Sequence, residues 1–340
     1  MQSLKSTALE PTHSELRRLP LRQRCAHIVS IYGLPLLTVA LAVAFSVALP
    51  RTFPTALNVR SILSNESITA MLALAAMVPM MAGRIDLTVG YGIVLWSILA
   101  IALQTRYGLS WEAAAAIVLL AGMATGLFNG LLVEFAEIDS FIATLGTGTI
   151  LYALALWYTG GQQVTGNLPM GFADISGIWF SWVPITAVYV LAIAVILWVG
   201  SERMPVGRYI YAIGANPKAA SLNGIRVRKY VIGAFVTSGL ITGFAGVVLA
   251  SKLEIGQATV GLNFLLPALV GAFLGTTTIR PGRVNVWGTV VGVLILAVGI
   301  SGIQQLGGAY YVEPLFNGST LIAAIAIAAY TQRRGASKRV

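Results

Sequence analysis

Apolar runs about as long as a lipid bilayer is thick recur along almost the whole chain, and few charges interrupt them. A helix of about 20 apolar residues crosses a hydrocarbon core of about 30 Å, and only helices and closed barrels satisfy their backbone hydrogen bonds there. Barrel strands alternate apolar and polar residues in segments of about ten, which is not the pattern here. Charged residues make up 10% of the 340, against about 25% in a soluble domain. The sequence therefore predicts an all-α integral membrane protein.

The apolar runs divide into about ten candidate spans, namely residues 28–49, 66–82, 87–104, 111–134, 141–158, 179–199, 230–250, 263–279, 284–306 and 315–330. The first span is expected to be retained, because the basic stretch before it is too long for a signal peptide and no small-x-small cleavage site follows. Three regions result: an N-terminal tail at 1–27, a membrane domain at 28–330 with an inner loop at 200–229, and a basic C-terminal tail at 331–340.

The distribution of Lys and Arg predicts the orientation, since cytoplasmic loops carry the excess. With the N-terminus inside, eighteen of the 22 basic residues fall in inner segments. The outer segments hold only Arg51, Arg60, Arg106 and Lys252. Both termini are therefore expected in the cytoplasm, with a miscounted pair of spans as the alternative. The split also explains the net charge of +10 without nucleic acid.

Residue types restrict the chemistry of the chain. Cys25 and two histidines before residue 28 make a metal site, a haem site or a membrane-embedded enzyme improbable. No lysine follows a glycine as a phosphate-binding loop requires, so any ATP must be handled by a partner. All twelve acidic residues are expected in tails, loops or span ends, with Glu66 near an outer end, which weakens an ion-coupled carrier.

Polar residues within the spans are mostly neutral, and hydroxyls and amides offer both donors and acceptors to a hydroxyl-rich solute. The candidates to line a transport path are Asn65, Asn129, Thr144, Thr147 and Thr276. Hydrogen bonds between helices are the alternative explanation. Glycines spaced by four, as at Gly122, Gly126 and Gly130, predict close helix packing, with a moving helix seam as the alternative.

The inner loop contains a predicted short helix. Asn216 is its N-cap, Pro217 its first residue and Gly224 its terminator, with Lys218, Ala219, Ala220 and Leu222 between them. Such a helix across the inner end of a bundle presents one face to a soluble partner. A basic segment lying on anionic lipid is the alternative.

Five motifs in order resemble the permease subunits of bacterial ABC importers of the ribose, xylose, galactoside and autoinducer-2 type. They are Gly83-Arg-Ile-Asp-Leu-Thr-Val-Gly90, Gly126-Leu-Phe-Asn-Gly-Leu-Leu132, Phe141-Ile-Ala-Thr-Leu-Gly146, Leu156-Trp-Tyr-Thr-Gly-Gly-Gln162 and the loop from Gly207 to Ile225. The likeness covers about residues 30 to 330. The chain departs from the family pattern between Gly275 and Gly288, where Leu274 replaces a paired glycine and the turn carries Arg280-Pro281.

The resemblance implies a non-catalytic permease of the bacterial inner membrane that carries a monosaccharide or polyol and binds no cofactor itself. Its implied partners are ABC ATPase subunits with ATP and Mg²⁺, a periplasmic sugar-binding protein, a second permease copy in a homodimer or heterodimer, and lipid. Residues Asn216 to Gly224 would form the coupling helix, and Gly83, Asp86 and Gly90 a structural motif. A branched-chain amino-acid permease and an ion-coupled secondary carrier are the alternatives. For Asp86, capping of the third span is expected, with a role in the machinery as the alternative.

Overall fold

The structure, a computed structural model, describes residues 21–280, 282–309 and 311–337. The helices in these ranges are α1 (Leu21–Ala48), α2 (Ala56–Met81), α3 (Thr88–Thr105), α4 (Trp111–Glu134), α5 (Ser140–Thr159), α6 (Met170–Gly177), α7 (Ile185–Trp198), α8 (Pro205–Ala215), α9 (Pro217–Leu222), α10 (Val227–Leu253), α11 (Leu265–Leu274), α12 (Val286–Gln305) and α13 (Val312–Ser337). A π-helical turn, Val199–Arg203, continues α7, and a 3-10 turn, Gly261–Phe264, precedes α11. The predicted all-α class is confirmed.

Seven helices in the described ranges are long and apolar enough to cross a membrane: α2, α3, α4, α5, α7 with its π-helical turn, α10 and α12. The other three predicted spans fall on α1, α11 and α13, which contain shorter apolar segments or extend past the predicted bounds. Ten crossings and cytoplasmic termini therefore stay predictions. Most of the predicted N-terminal tail and the last three residues of the C-terminal tail lie outside the described residues.

Helix α2 begins at Ala56, ten residues before the predicted start of the second span. The added turns mix apolar residues with Asn58, Arg60 and Asn65, so a search for a continuous apolar run misses them. A cap starts the helix: Thr55 Oγ1 accepts a hydrogen bond of 3.2 Å from the Asn58 amide. Glu66, predicted near the outer end of this span, lies in the first half of α2.

Two other predicted spans are shorter than expected. The sixth begins with a two-stranded hairpin, β1 (Trp179–Phe180) and β2 (Val183–Pro184), whose register pairs Trp179 with Pro184. The eighth ends at Leu274 rather than near 279, because the threonines after Gly275 form a turn instead of a further helical segment.

Helices α2 and α10 form the centre of the bundle. Every residue of α2 from Ser67 to Pro79 is buried, as expected for a helix surrounded by other helices. Helix α10 packs against α2, α3 and α4. The contact between α10 and α4 is very close: a Cβ atom on Gly239 would lie 2.1 Å from the Gly122 carbonyl oxygen. The predicted close packing at the glycines of α4 is thus confirmed.

The connections separate into two ends of the bundle. We call inner end the one that carries the α2–α3 turn, the α4–α5 turn, α8, α9 and the α11–α12 turn. These segments contact one another, as Arg84 does with Glu134 and Tyr211 with Val284. The opposite, outer end brings together Lys252 and Asn65. This grouping agrees with the division of basic residues from which the orientation is predicted.

Candidate functional site

A buried carboxylate lies in the turn that joins α2 to α3. The side chain of Asp86 is 1% exposed, and its Oδ1 accepts a 3.0 Å hydrogen bond from the Thr88 amide and another from the Thr88 hydroxyl. Its Oδ2 accepts a 2.7 Å bond from Ser238 Oγ of α10. Asp86 thus caps the first amide of α3, as expected from the sequence, and also ties the turn to α10. The contact with Ser238 could not be found from spacing.

Two residues predicted to line a path belong to the surroundings of this turn. Asn129 Nδ2 donates a 3.2 Å hydrogen bond to Thr88 Oγ1, and the Asn129 side chain is fully buried. Thr144 Oγ1 accepts a 3.0 Å bond from the Leu87 amide and donates one of 2.8 Å to the Ser140 carbonyl. Both side chains therefore hold α4 and α5 against the start of α3.

Two positions of the same motif require glycine, each for a different geometric reason. Gly83 has φ +74°, a left-handed conformation that glycine adopts without strain. Gly90 faces α11 so closely that a Cβ atom would lie 2.3 Å from the Leu265 Cβ. The motif from Gly83 to Gly90 thus sets the bend before α3 and the packing of α3 on α11.

The turn between α11 and α12 shares two features with the α2–α3 turn, a left-handed glycine and a buried polar residue three positions later. Gly282 has φ +84°, and three residues later Asn285 is buried, as Asp86 is three residues after Gly83. Asn285 Oδ1 accepts a 2.8 Å bond from the Gly288 amide, and its Nδ2 donates one of 2.7 Å to the Gly275 carbonyl. The first turn carries a carboxylate and the second an amide at this position.

The remaining predicted path residues are also packed inside the protein. Thr276 Oγ1 donates a 2.7 Å hydrogen bond to the Phe273 carbonyl, one turn back in α11. Thr147 is buried on α5. Asn65 differs from the other four, because it lines a cavity at the outer end together with Glu66 and Lys252.

Helix α8 contacts both turns at the inner end. A Cβ atom on Gly214 would lie 2.3 Å from the Met81 carbonyl oxygen at the end of α2. One helical turn earlier, the Tyr211 hydroxyl donates a 2.8 Å bond to the Val284 carbonyl in the α11–α12 turn. The Arg283 guanidinium lies 3.4 Å from the centre of the Tyr211 ring. Burial raises the pKa of the Tyr211 phenol, and the charge of Arg283 lowers it in part.

Ion pairs join the same segments. Arg84 Nη2 lies 3.0 Å from Glu134 Oε1, which links the α2–α3 turn to the end of α4. Glu202, in the π-helical turn after α7, pairs with Arg280 and, at 3.9 Å, with Arg283. Each of the two turns is thus fixed to a neighbouring helix by an arginine and a glutamate.

Helix α9 follows α8 directly. Asn216 is its N-cap, and Asn216 Oδ1 accepts a 3.0 Å bond from the Ala219 amide. Ala220 is buried against the bundle, whereas the Leu222 side chain is 89% exposed. Gly224, with φ +80°, reverses the chain after the helix. The residues predicted to form a short helix therefore do so, with one face free at the inner end.

A groove of about 870 Å³ separates α9 from the α4–α5 turn. Its charged lining residues are Arg84, Glu134, Glu137, Asp139, Lys218, Arg226 and Arg228. Acidic side chains come from the α4–α5 turn, and basic side chains come mainly from α9 and the start of α10. The groove is thus large, open and of mixed charge, as a surface for a soluble protein partner would be.

Comparison with known proteins decides the family. A family model described as the branched-chain amino acid transport system / permease component matches residues 58–330. The chain belongs to this permease family. The matched region includes every described helix from α3 to α12, both turns with a buried Asp or Asn, and α9.

Individual relatives of this permease cover most of its length. A ribose import permease protein of Bacillus subtilis (strain 168) is 32% identical over 270 residues, which are 79% of this chain and 84% of that protein. A D-allose transport system permease protein of Escherichia coli (strain K12) is 29% identical over 296 residues, 87% and 90% of the two chains. An autoinducer 2 import system permease protein of Escherichia coli O9:H4 (strain HS) is 27% identical over 302 residues, 86% and 91%. No solved structure matches the chain.

These relatives and the seven membrane-spanning helices establish the class of the protein. The permease is a multi-pass protein of the bacterial inner membrane and a non-catalytic transport subunit.

Proposed function

We propose that this permease forms the translocation path of an ATP-driven importer for a monosaccharide or a similar polyol. Relatives that cover most of the chain carry ribose or allose in their names, which supports a sugar as substrate. The name of the matched family supports a branched-chain amino acid as the second candidate. The polar residues within the bundle are mostly neutral amides and hydroxyls, which suits a neutral solute better than a zwitterion.

In this proposal the energy comes from partner subunits. The sequence has no glycine-lysine pair that could hold a nucleotide phosphate, so ATP and Mg²⁺ belong on separate ATPase subunits. A periplasmic binding protein delivers the solute to the outer end, and a second permease copy completes the path. The chain itself binds no cofactor.

The exposed face of α9 is the observation that carries the proposal. A leucine with 89% of its surface exposed, beside Lys218 and a groove of about 870 Å³, is a surface suited to a protein partner. We assign coupling to the ATPase to the segment from Asn216 to Gly224. Because α8 joins this segment directly to the two inner turns, a displacement of α9 reaches the helices that those turns connect.

The path itself is proposed to begin at the outer cavity that Asn65 lines. Asn129 and Thr144 act in this proposal as supports for the α2–α3 turn, because their polar atoms bond to Thr88, Leu87 and Ser140. Thr147 and Thr276 are buried helix-packing residues in the state that the structure represents and become path-lining only if the helices separate.

Co-purification tests the proposal. The tagged permease is extracted in mild detergent from its native host, and the co-purifying proteins are identified by mass and assayed for ATP hydrolysis. We expect an ATPase with the unmodified chain and with Leu306→Glu, a control at the outer end, but not with Leu222→Glu. Recovery of no ATPase with any of the three, together with transport in ATP-free liposomes, would overturn the importer assignment.

The substrate class has its own test. The assembled importer is reconstituted in liposomes with ATP inside, and uptake of D-ribose, D-allose and L-leucine is measured in the presence of the binding protein. ATP-dependent uptake of a sugar supports the proposal. Uptake of leucine without uptake of any sugar would replace it with the amino-acid alternative.

A further inference from the structure

A cavity of about 260 Å³ opens at the outer end between α2, α10, the 3-10 turn with α11, α12 and the start of α13. Its polar lining side chains are Asn65, Glu66, Thr69, Lys252, Asn263 and Glu313. Asn65, Asn263 and Glu313 are exposed at the rim, whereas Thr69 is buried at the base. The cavity is therefore open to the outside and closed toward the bundle.

A lysine and a glutamate face this cavity without forming an ion pair. Lys252 Nζ donates 2.8 and 2.9 Å hydrogen bonds to the Ser64 carbonyl and to Asn65 Oδ1. Glu66 lines the same cavity. Among the described residues, the ion pairs lie elsewhere, at Glu134 and Glu202. An ammonium group and a carboxylate thus line one open cavity without a salt bridge between them.

A hydroxyl group of a bound solute can bridge the Lys252 ammonium and the Glu66 carboxylate without adding charge to the site. It accepts a hydrogen bond from the ammonium and donates one to the carboxylate. Hydrogen bonds to charged partners are the stronger kind. A cation would meet Lys252, and an anion would meet Glu66 and Glu313, so the arrangement favours a molecule without net charge. A zwitterionic amino acid also has a group for each of the two side chains, so the choice of a sugar rests on the proposed importer function.

The size and the walls of the cavity restrict that molecule further. A volume of about 260 Å³ is below the range of about 300–1,000 Å³ typical of drug-sized ligands, which leaves small solutes. The apolar part of the wall is larger than the polar part and is formed by Ile68, Leu249, Leu253, Val260, Phe264, Pro267 and Ile300. A monosaccharide presents hydroxyls at its edges and C–H groups on its faces, and it matches both kinds of lining.

We propose that this outer cavity is the entry site at which the permease binds a neutral polyhydroxy solute of monosaccharide size, held between Lys252 and Glu66. The proposal rests on the sugar importer function and specifies where its path begins. Binding is weak, because a transport site has to release its solute onward. Asn65, in this site, is also one of the residues that the sequence predicts to line a transport path.

Protection from thiol labelling tests the entry site. Cys25, the single cysteine, is replaced with serine. Asn263→Cys then places a thiol at the cavity rim, and Glu112→Cys places a control thiol at another exposed position of the outer end. Each full-length permease is reconstituted in nanodiscs and labelled with a charged methanethiosulfonate reagent. The labelling rate is measured with D-ribose, D-allose, L-leucine or NaCl at tens of millimolar.

We expect a sugar to slow labelling of Asn263→Cys several-fold and to leave Glu112→Cys unchanged. Adding Lys252→Met or Glu66→Gln to Asn263→Cys changes the local charge and with it the labelling rate without sugar. Protection is therefore measured as the ratio of the rates with and without sugar in the same variant, and we expect this ratio to return to one in both double variants. Protection that persists in both double variants would overturn the assignment of the two residues.

The remaining outcomes separate the entry site from the importer function. If no sugar protects Asn263→Cys although the reconstituted importer takes up sugar with ATP, the entry site is wrong and the function stands. If leucine protects the thiol and is transported, while sugars neither protect it nor are transported, both the sugar entry site and the sugar importer function are wrong. Protection by NaCl alone at Asn263→Cys, without the same slowing at Glu112→Cys, would show an ion site and overturn the proposal.

Discussion

The hydroxyl of Ser238, in α10, donates a 2.7 Å hydrogen bond to Asp86 Oδ2 in the α2–α3 turn, across 152 positions of sequence. The same carboxylate accepts two bonds from Thr88 at the start of α3. One side chain therefore joins the ends of two consecutive helices to a third. In a bundle without a soluble domain, such a buried polar junction fixes the relative positions of its helices.

Replacing Asp86 with alanine should destabilise the protein. Because Ser238 and the Thr88 amide would lose a buried acceptor, we expect a loss of about 1–3 kcal/mol in the free energy of unfolding. Asp86→Asn keeps one acceptor oxygen and should lose less. Thermal unfolding in detergent measures both. Asp174→Ala, at an exposed position of α6, is the control, and an equal effect there would contradict the prediction.

Two glycines of α10 should respond in opposite ways to alanine. A Cβ atom on Gly239 would lie 2.1 Å from the Gly122 carbonyl oxygen, so Gly239→Ala has to push α4 away and should cost about 1–3 kcal/mol. A Cβ atom on Gly233 would meet nothing within 4 Å. Gly233→Ala should stabilise the helix by up to about 1 kcal/mol. Unfolding midpoints of the two variants compare them directly, and equal midpoints would refute the close seam.

The contribution of the Tyr211 hydroxyl to the stability of the folded protein should be lost at alkaline pH. Burial raises the pKa of this phenol in the folded protein above the ordinary value of about 10, so folding favours the protonated form. Its contribution is fully present below about pH 10 and is lost as the pH rises through the raised value. The difference in unfolding temperature between the unmodified protein and Tyr211→Phe should therefore shrink above that pH. A difference that stays constant through this pH range would contradict the prediction.

The cap of α9 should matter for coupling more than for the fold as a whole. Asn216→Ala removes the acceptor of the Ala219 amide and should cost about 1 kcal/mol of helix stability, whereas Asn216→Asp restores the acceptor. Hydrogen exchange at the Ala219 amide should speed up in the first variant only. Under the proposed function, solute uptake per ATP hydrolysed should fall in the same variant. Equal coupling in both would remove α9 from the mechanism.

The sequence predicts most of the helices because apolar length is a local property. It misses the start of α2 for a related reason: Asn58, Arg60 and Asn65 interrupt the apolar residues after Thr55, so a search for apolar runs begins too late. The outer cavity depends on where Glu66 lies relative to α10 and α13. These are contacts between helices far apart in sequence, which the sequence alone does not predict.

Side-chain partners across the bundle are the second kind of information that the sequence lacks. Asn129 and Thr144 carry polar atoms within apolar spans, which suits a path lining as well as a structural hydrogen bond. Only the packing shows that Asn129 bonds to Thr88 and Thr144 to Leu87. In contrast, the helix from Pro217 to Leu222 depends on neighbours in sequence, a cap and a proline, and the structure has it at the expected residues.

Helix α8 reaches the end of α2 through Gly214 and the α11–α12 turn through Tyr211, only one helical turn apart. Because both contacts belong to one helix, a displacement of α8 along its own axis acts on the end of α2 and on the α11–α12 turn together. A variant that removed either contact would leave α8 acting on only one of these two regions.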